Sequence, residues 1–305
     1  MIRHVAGGVL AAGAATAAWG VLVERRLFTL RRVTMAVLPA GSPDLKVLHL
    51  SDLHMAPWQR KKQQFVRGLA DLRPDLVIDT GDNLGHEIGQ LGLEAALAPL
   101  RGIPGAFVWG SNDYWAPQAK NPLQYFAGPS GGTEQQPKRL DTDGLGRWLT
   151  DGLGWTDLNN RAARLEVRGV PIDLVGVDDP HRGYDRLDDA LPALRGLRRR
   201  KQKAVLTIGV AHAPYQRTLD ALVGQGADVL LAGHTHGGQV CVPGYGALVT
   251  NCDIPRDQVK GASTWTAVGR TAQLHVSAGL GTSIYAPVRF ACRPETTLIT
   301  LTPRP

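Results

Sequence analysis

Apolar positions along the chain fall into two registers. Short runs of four to six residues recur at Val47–Leu50, Leu76–Asp79, Ala106–Trp109, Ile172–Val177, Val205–Val210 and Val229–Leu231. Most are unbroken and bounded by turn residues, which predicts strands buried on both faces. Between them lie longer amphipathic stretches. Gln59–Leu72 carries Phe65, Val66, Leu69 and Leu72 at helical spacing, and Gly89–Leu100 and Tyr215–Gly224 also read as helices. The β-α-β alternation predicts an α/β fold with parallel pairing. After Gly233 the rhythm changes to short strands at Gln239–Val242, Ala247–Val249, Gln273–Val276 and Thr297–Leu301, which predicts a second, largely antiparallel sheet. Ser130–Gly144 is polar and glycine-rich and reads as a surface loop or lid. No linker divides the chain beyond residue 40, so one domain is expected over 40–303.

The start of the chain follows neither register. Val5 to Val23 contains no charge and is about as long as a helix that crosses a bilayer. Residues 1–26 therefore read as an uncleaved single-pass anchor at the cell membrane, with a cleaved secretory signal as the alternative. More Lys and Arg follow the span than precede it, which favours a cytoplasmic domain. Arg31 and Arg32 weaken that bias if they already belong to the first strand.

Charge adds to this picture. The net charge is +7, and residues 1–32 hold five arginines against Glu24, which leaves only +3 for the remainder. The basic character thus points to a membrane flank, and no nucleic-acid partner is expected. Arg195, Arg198, Arg199, Arg200, Lys201 and Lys203 form a second basic cluster, read as a solvated face. Cys241, Cys252 and Cys292 are sparse, lack CxxC spacing and read as structural.

Five polar signatures sit directly after expected strands: Ser51-Asp52-Leu53-His54, Gly81-Asp82-Asn83, Gly110-Ser111-Asn112-Asp113, Ala211-His212-Ala213-Pro214 and Gly233-His234-Thr235-His236-Gly237-Gly238. Strand carboxyl ends line the ligand crevice of open α/β sheets, so the five converge on one edge. Carboxylate and amide oxygens mixed with imidazoles suit Mn, Fe or Zn. Asp82, on a central strand, can bridge two cations with its two oxygens, and such a pair can clamp a phosphate.

The ordered set Asp52-Leu53-His54, Gly81-Asp82, Asn112-Asp113, His212 and Gly233-His234-Thr235-His236-Gly237-Gly238-Gln239 resembles the calcineurin-like metallophosphoesterases, and within them the membrane-associated phosphodiesterase branch. The tail His275–Ser283, with Arg289-Phe290 and Cys292-Arg293-Pro294-Glu295, resembles that branch too; together the likeness spans about residues 45–301. It implies a four-layer α-β-β-α sandwich of two mixed sheets. It implies one divalent ion on Asp52, His54, Asp82 and His236, a second on Asp82, Asn112, His212 and His234, and attack on phosphorus by a metal-bound hydroxide.

One motif departs from the family. Its usual Gly-Asn-His is here Gly110-Ser111-Asn112-Asp113, so the customary catalytic histidine is missing. Two alignments compete: Asn112 as the metal ligand with Asp113 in the place of the histidine, or Ser111 facing the metal. Asn112 is preferred because a neutral serine is a poor ligand. Asp113, His86 and His181 are the candidates for protonating the leaving group. The expected substrate is a phosphate diester or a lipid-linked phosphate, since the anchor holds the site near headgroups. The rival readings are a membrane-tethered metal-binding protein without turnover, and a nuclease.

Overall fold

The computed structural model describes residues 13–118 and 137–305. Two six-stranded sheets face each other. The first runs in the order β1 (Thr29–Leu38), β14 (Glu295–Pro303), β2 (Leu45–Leu50), β3 (Leu76–Asp79), β4 (Gly105–Phe107), β5 (Thr156–Asp157). The second runs β12 (Gly261–Ala267), β13 (Arg270–Val276), β9 (Val229–Ala232), β8 (Leu206–Val210), β7 (Val170–Gly176), β6 (Arg161–Val167). The central strands β2, β3, β4 and β7, β8, β9 pair in parallel, as the alternating pattern predicts.

Period-two alternation assigns each strand's side chains to two cores. Val47, Leu76, Ile78, Ala106 and Val108 meet Ile172, Leu174, Ile208, Val210 and Leu231 between the sheets. The alternate residues Leu48, Leu50, Val77 and Phe107 face outward onto α2 (Arg60–Gly68) and α3 (Gly89–Leu97) through Val66, Leu93 and Leu97. On the opposite face Leu230, Leu274 and Val276 pack under α6 (Leu187–Arg198) and α7 (Gln216–Gly224) through Ala190, Leu194 and Leu222. Three apolar layers separate four layers of secondary structure, which is the expected sandwich of two mixed sheets.

The last third of the chain differs from its sequence reading. The late strands do not build an antiparallel sheet of their own. β13 extends the second sheet in parallel with β9, and β14 inserts into the first sheet, parallel to β1 and antiparallel to β2. Only β10 (Cys241–Val242) and β11 (Gly246–Ala247) stand apart, as a two-residue antiparallel pair. The expected loop Ser130–Gly144 lies outside the described residues up to 136. Its end instead starts helix α5 (Thr142–Arg147), because the Asp141 carboxylate accepts from Gly144 N at 2.8 Å and caps the first turn.

At the start, residues 13–18 are helical (α1), followed by a π-turn over Trp19–Val23 and a 3-10 turn over Glu24–Arg26. Among the described residues no helix is long and apolar enough to cross a membrane; residues 5–12 of the expected span lie outside them. Residues 20–24 are fastened to the domain. Gly20 O accepts from Arg289 N at 3.2 Å, and the buried Glu24 carboxylate accepts from Cys292 N at 2.8 Å and Trp19 Nε1 at 2.9 Å. Arg31 and Arg32 belong to β1, where Arg31 pairs with Glu295 at 3.0 Å.

Candidate metal centre

The five polar signatures meet at the carboxyl edge shared by both sheets. Strand β2 delivers Asp52 and His54, β3 delivers Asp82, β4 leads into α4 (Ser111–Tyr114) with Asn112, β8 delivers His212, and β9 delivers His234 and His236. Each strand must turn sharply to present its side chain. Asp52, His54, Asp82, His234 and His236 all have positive φ, between 38° and 68°. Non-glycine residues in that region cost on the order of 1–3 kcal/mol each and persist where the surroundings dictate them.

Two glycines make the approach close enough. A Cβ on Gly110 would lie 2.3 Å from Asp82 Oδ1, and one on Gly233 would lie 1.9 Å from Ser51 Oγ and 2.5 Å from Asp52 Oδ2. Neither strand end could come so near with a larger residue.

Asp82 is at the centre. Its Oδ2 faces His54 Nε2 at 3.5 Å, and its Oδ1 faces His212 Nε2 at 3.6 Å. His54 Nε2 lies 3.2 Å from His236 Nε2, which lies 3.6 Å from Asp52 Oδ1. On the other side His212 Nε2 lies 3.3 Å from His234 Nδ1. Asn112 bridges the carboxylate, its backbone N reaching Asp82 Oδ1 and its side-chain Nδ2 reaching Oδ2, each at 2.8 Å. Asn112 is therefore tied to Asp82 through both its backbone and its side chain.

Hydrogen bonds behind the ring fix which nitrogens face inward. His212 Nδ1 donates to Thr80 O at 2.7 Å, and His234 Nε2 lies 3.1 Å from both the carbonyl oxygen and the side-chain Nδ2 of Asn251. In the neutral ring this leaves the lone pair of His212 Nε2 directed at His234 Nδ1. Asp52 Oδ1 is buried with no hydrogen-bond partner, while Oδ2 accepts from Ser51 Oγ and from His234 N. Carboxylates and imidazoles that converge in this way fit cations, and Asp52, His54, His236 and Asp52, Asp82, His212 both place ligand atoms within 4.8 Å of one another.

Electrostatics agree. Burial alone would raise Asp82, but His212 and His54 outweigh it and hold the carboxyl well below the usual range. Burial lowers His54 to about 4 and pushes His234 and His236 well below 6.5, the neutral state that metal ligation requires. His212 is the exception: despite burial it rises to about 9, because Asp82 and Asp52 draw positive charge towards it, so a cation bound there would displace its proton.

A buried relay supports the ring from below. Thr80 Oγ1 donates to Leu50 O at 3.3 Å and accepts from His49 Nε2 at 3.2 Å. His49 Nδ1 then accepts from His275 Nδ1 at 2.9 Å, joining β2 of one sheet to β13 of the other. Both histidines are buried, in line with a packing role. Arg289, fully buried, donates to the carbonyls of His236 (3.0 Å), Ala278 (2.7 Å) and Gly281 (2.6 Å), and so fixes the backbone carrying His236.

The three candidate acids part company. The Asp113 carboxylate accepts from Asp82 N (2.8 Å), Asn83 N (2.8 Å) and Gly110 N (2.9 Å). It is buried beneath the Asp82 and Gly110 turns and holds them, a placement that corrects its reading as a proton donor. His86 lies on the rim, its ring 4.9 Å edge-on from that of Trp58. His181 is brought to the cluster: its ring centroid is 4.4 Å from that of His234, and its Nδ1 is 3.1 Å from the Tyr215 hydroxyl. Asp179 Oδ1 accepts from His181 N at 2.9 Å and fixes that turn.

With this geometry in place, the comparisons bear directly on identity. Residues 45–238 match the family model for calcineurin-like phosphoesterases. The chain belongs to the calcineurin-like phosphoesterase family. It is 26% identical over 309 residues to the metallophosphoesterase YkuE of Bacillus subtilis (strain 168), covering 96% of this chain and 94% of that one. It is 26% identical over 281 residues to the phosphodiesterase YaeI of Escherichia coli (strain K12), covering 90% and 88%. It is also 27% identical over 285 residues to a transmembrane protein with metallophosphoesterase domain of Bos taurus, covering 88% of this chain and 55% of that one. As a calcineurin-like phosphoesterase the chain is a hydrolase of phosphate esters that uses divalent metals, and the matched segment contains all seven clustered residues.

Proposed function

We propose that this calcineurin-like phosphoesterase hydrolyses phosphate diesters, lipid-linked ones foremost, with two divalent cations of the Mn, Fe or Zn type. Asp52, His54, Asp82 and His236 would hold one, and Asp82, Asn112, His212 and His234 the other. The observation that carries this reading is Asp82, one oxygen of which faces each half of the histidine ring. When bound, such a pair supplies Lewis acidity to the phosphoryl oxygens and lowers the pKa of a coordinated water.

The residues of the chain do the rest. Asn112 ties α4 to Asp82 and so fixes the middle of the site. Thr80 sets the tautomer of His212, and Asn251 holds the His234 ring in place. His181, beside His234, delivers the proton to the leaving alkoxide in place of the family's absent histidine. The similarity to a protein named phosphodiesterase supports diesters, and the apolar segment 5–23 supports a lipid-linked substrate and placement at the cell membrane. The similarity to a protein named for its transmembrane character points the same way.

The test is a metal-dependent hydrolysis profile of the purified protein against monoesters, diesters and phospholipids. Turnover of diesters that depends on added metal is expected. Stoichiometric metal with no ester hydrolysed would favour a binding protein instead. Turnover confined to phosphoproteins would remove the diester proposal.

A further inference from the structure

A cleft of about 460 Å³ adjoins the Asp52–His54 segment without including any of the seven clustered residues. Lys62 Nζ, in its wall, donates to Leu53 O at 2.6 Å and His54 O at 3.2 Å, and Gly281 N donates to Asp52 O at 2.6 Å. Five basic residues line it: Arg25, Arg26, Arg60, Lys61 and the buried Lys62, whose pKa burial lowers to about 7. No Asp or Glu does. Among the described residues none of the five forms an ion pair with a carboxylate.

The helix makes the imbalance larger. Arg60, Lys61 and Lys62 form the first turn of α2, where backbone N–H groups already present positive charge. Acidic side chains are the stabilising choice at such an end. This turn contains none, and its N-cap Gln59 offers no side-chain hydrogen bond to it. A nine-residue helix with Arg60 and Lys61 exposed on its positive end, and two more arginines opposite, is a field that an anion would relieve.

The rest of the lining is apolar. Phe28, Ile284 and Pro287 contribute to it, and Trp58 stands at the cleft with 58% of its surface exposed. Phosphate-binding groups beside an exposed aromatic and aliphatic surface suit an amphiphile rather than a free ion. The cleft is also continuous with the start of the chain. Arg25 and Arg26 follow the uncharged segment 5–23 with Glu24 between, and the Gly20 and Glu24 hydrogen bonds fasten that connection to the domain.

We propose that this cleft binds the anionic headgroup of a membrane phospholipid and so holds the domain against the bilayer surface. The site is separate from the metal cluster and does not depend on hydrolysis there.

The test uses the full chain carrying Asp82→Ala, so that neither turnover nor the metal site contributes. Binding of dihexanoyl phosphatidylglycerol, dihexanoyl phosphatidylcholine and inorganic phosphate is measured by titration calorimetry. Phosphatidylglycerol is expected to bind about ten-fold tighter than either of the others, and to weaken as salt is raised. Replacing Arg60→Gln and Lys61→Gln together should weaken it about ten-fold, and so should Arg25→Gln with Arg26→Gln from the opposite wall. In the chain with Asp82 intact, Arg60→Gln with Lys61→Gln should leave turnover of bis-p-nitrophenyl phosphate within about two-fold, which shows that the fold survives. Equal binding of the two lipids would overturn the proposal. So would unchanged phosphatidylglycerol binding in both double variants. Displacement of the lipid by an equal concentration of phosphate would reduce the cleft to a site for simple anions and overturn it too.

Discussion

The Asp52–His54 segment separates two regions of opposite electrostatic design. On one side Asp52 and Asp82 are buried among His54, His212, His234 and His236, with carboxylate oxygens and ring nitrogens turned towards one another. On the other side Arg25, Arg26, Arg60 and Lys61 line a cleft that contains no acid. The first region is costly to build. It needs five left-handed residues, two glycines at contact distance, a donor from Ser51 and a carbonyl acceptor from Thr80 behind His212. The second needs none of this, because its cations reach solvent and are screened there. A buried cluster of like groups demands a backbone that overrides its own preferences, whereas a solvated one needs only proximity.

That contrast can be broken from the buried side first. Asp82→Ala removes the group common to both halves of the ring; metal retention should fall and diester turnover should drop on the order of 10³-fold, several kcal/mol of transition-state stabilisation. Turnover near the parent level would mean that the ring is not the reacting centre. Next in size is His181→Ala, expected to lower kcat about 10²-fold for alkyl esters while leaving KM nearly unchanged. The loss should shrink for p-nitrophenyl esters, whose leaving group needs no proton; an equal loss on both substrates would assign His181 to packing on His234. Ser51→Ala is smaller still. It deletes a donor to Asp52 Oδ2, and metal affinity should weaken roughly ten-fold with the fold intact. On the solvated side, neutralising Arg60 and Lys61 should change lipid binding and leave soluble diester turnover alone. If it lowered both, the two regions would be one.

Much of this was legible in the sequence, and the reasons differ by element. The seven clustered residues each follow a short apolar run, so strand ends and ligands are read together from local pattern. Partner choice is not local. β14 lies about 250 residues from its neighbours β1 and β2, and nothing in Thr297–Leu301 says which edge it joins. β1 escaped detection because Arg31 and Arg32 face solvent near the edge of its sheet and hide the alternation. Asp113 shows the limit for chemistry. An acid after Asn112 reads the same whether it faces a substrate or three backbone amides, and only the fold places it under the turns. The basic cleft is assembled from residues 25–26, 60–62 and the 280–287 loop, each too short a run to stand out against a net charge of +7.

The central claim is that the converging acceptors around Asp82 hold two cations and that both are needed to hydrolyse a diester. The most direct measurement strips the protein with a chelator, returns Mn in increments, and follows bound metal and bis-p-nitrophenyl phosphate turnover together. The account predicts saturation near two ions per chain, with turnover rising mainly as the second is taken up. Turnover that persists in the stripped protein, or saturation at one ion with full activity, would contradict it.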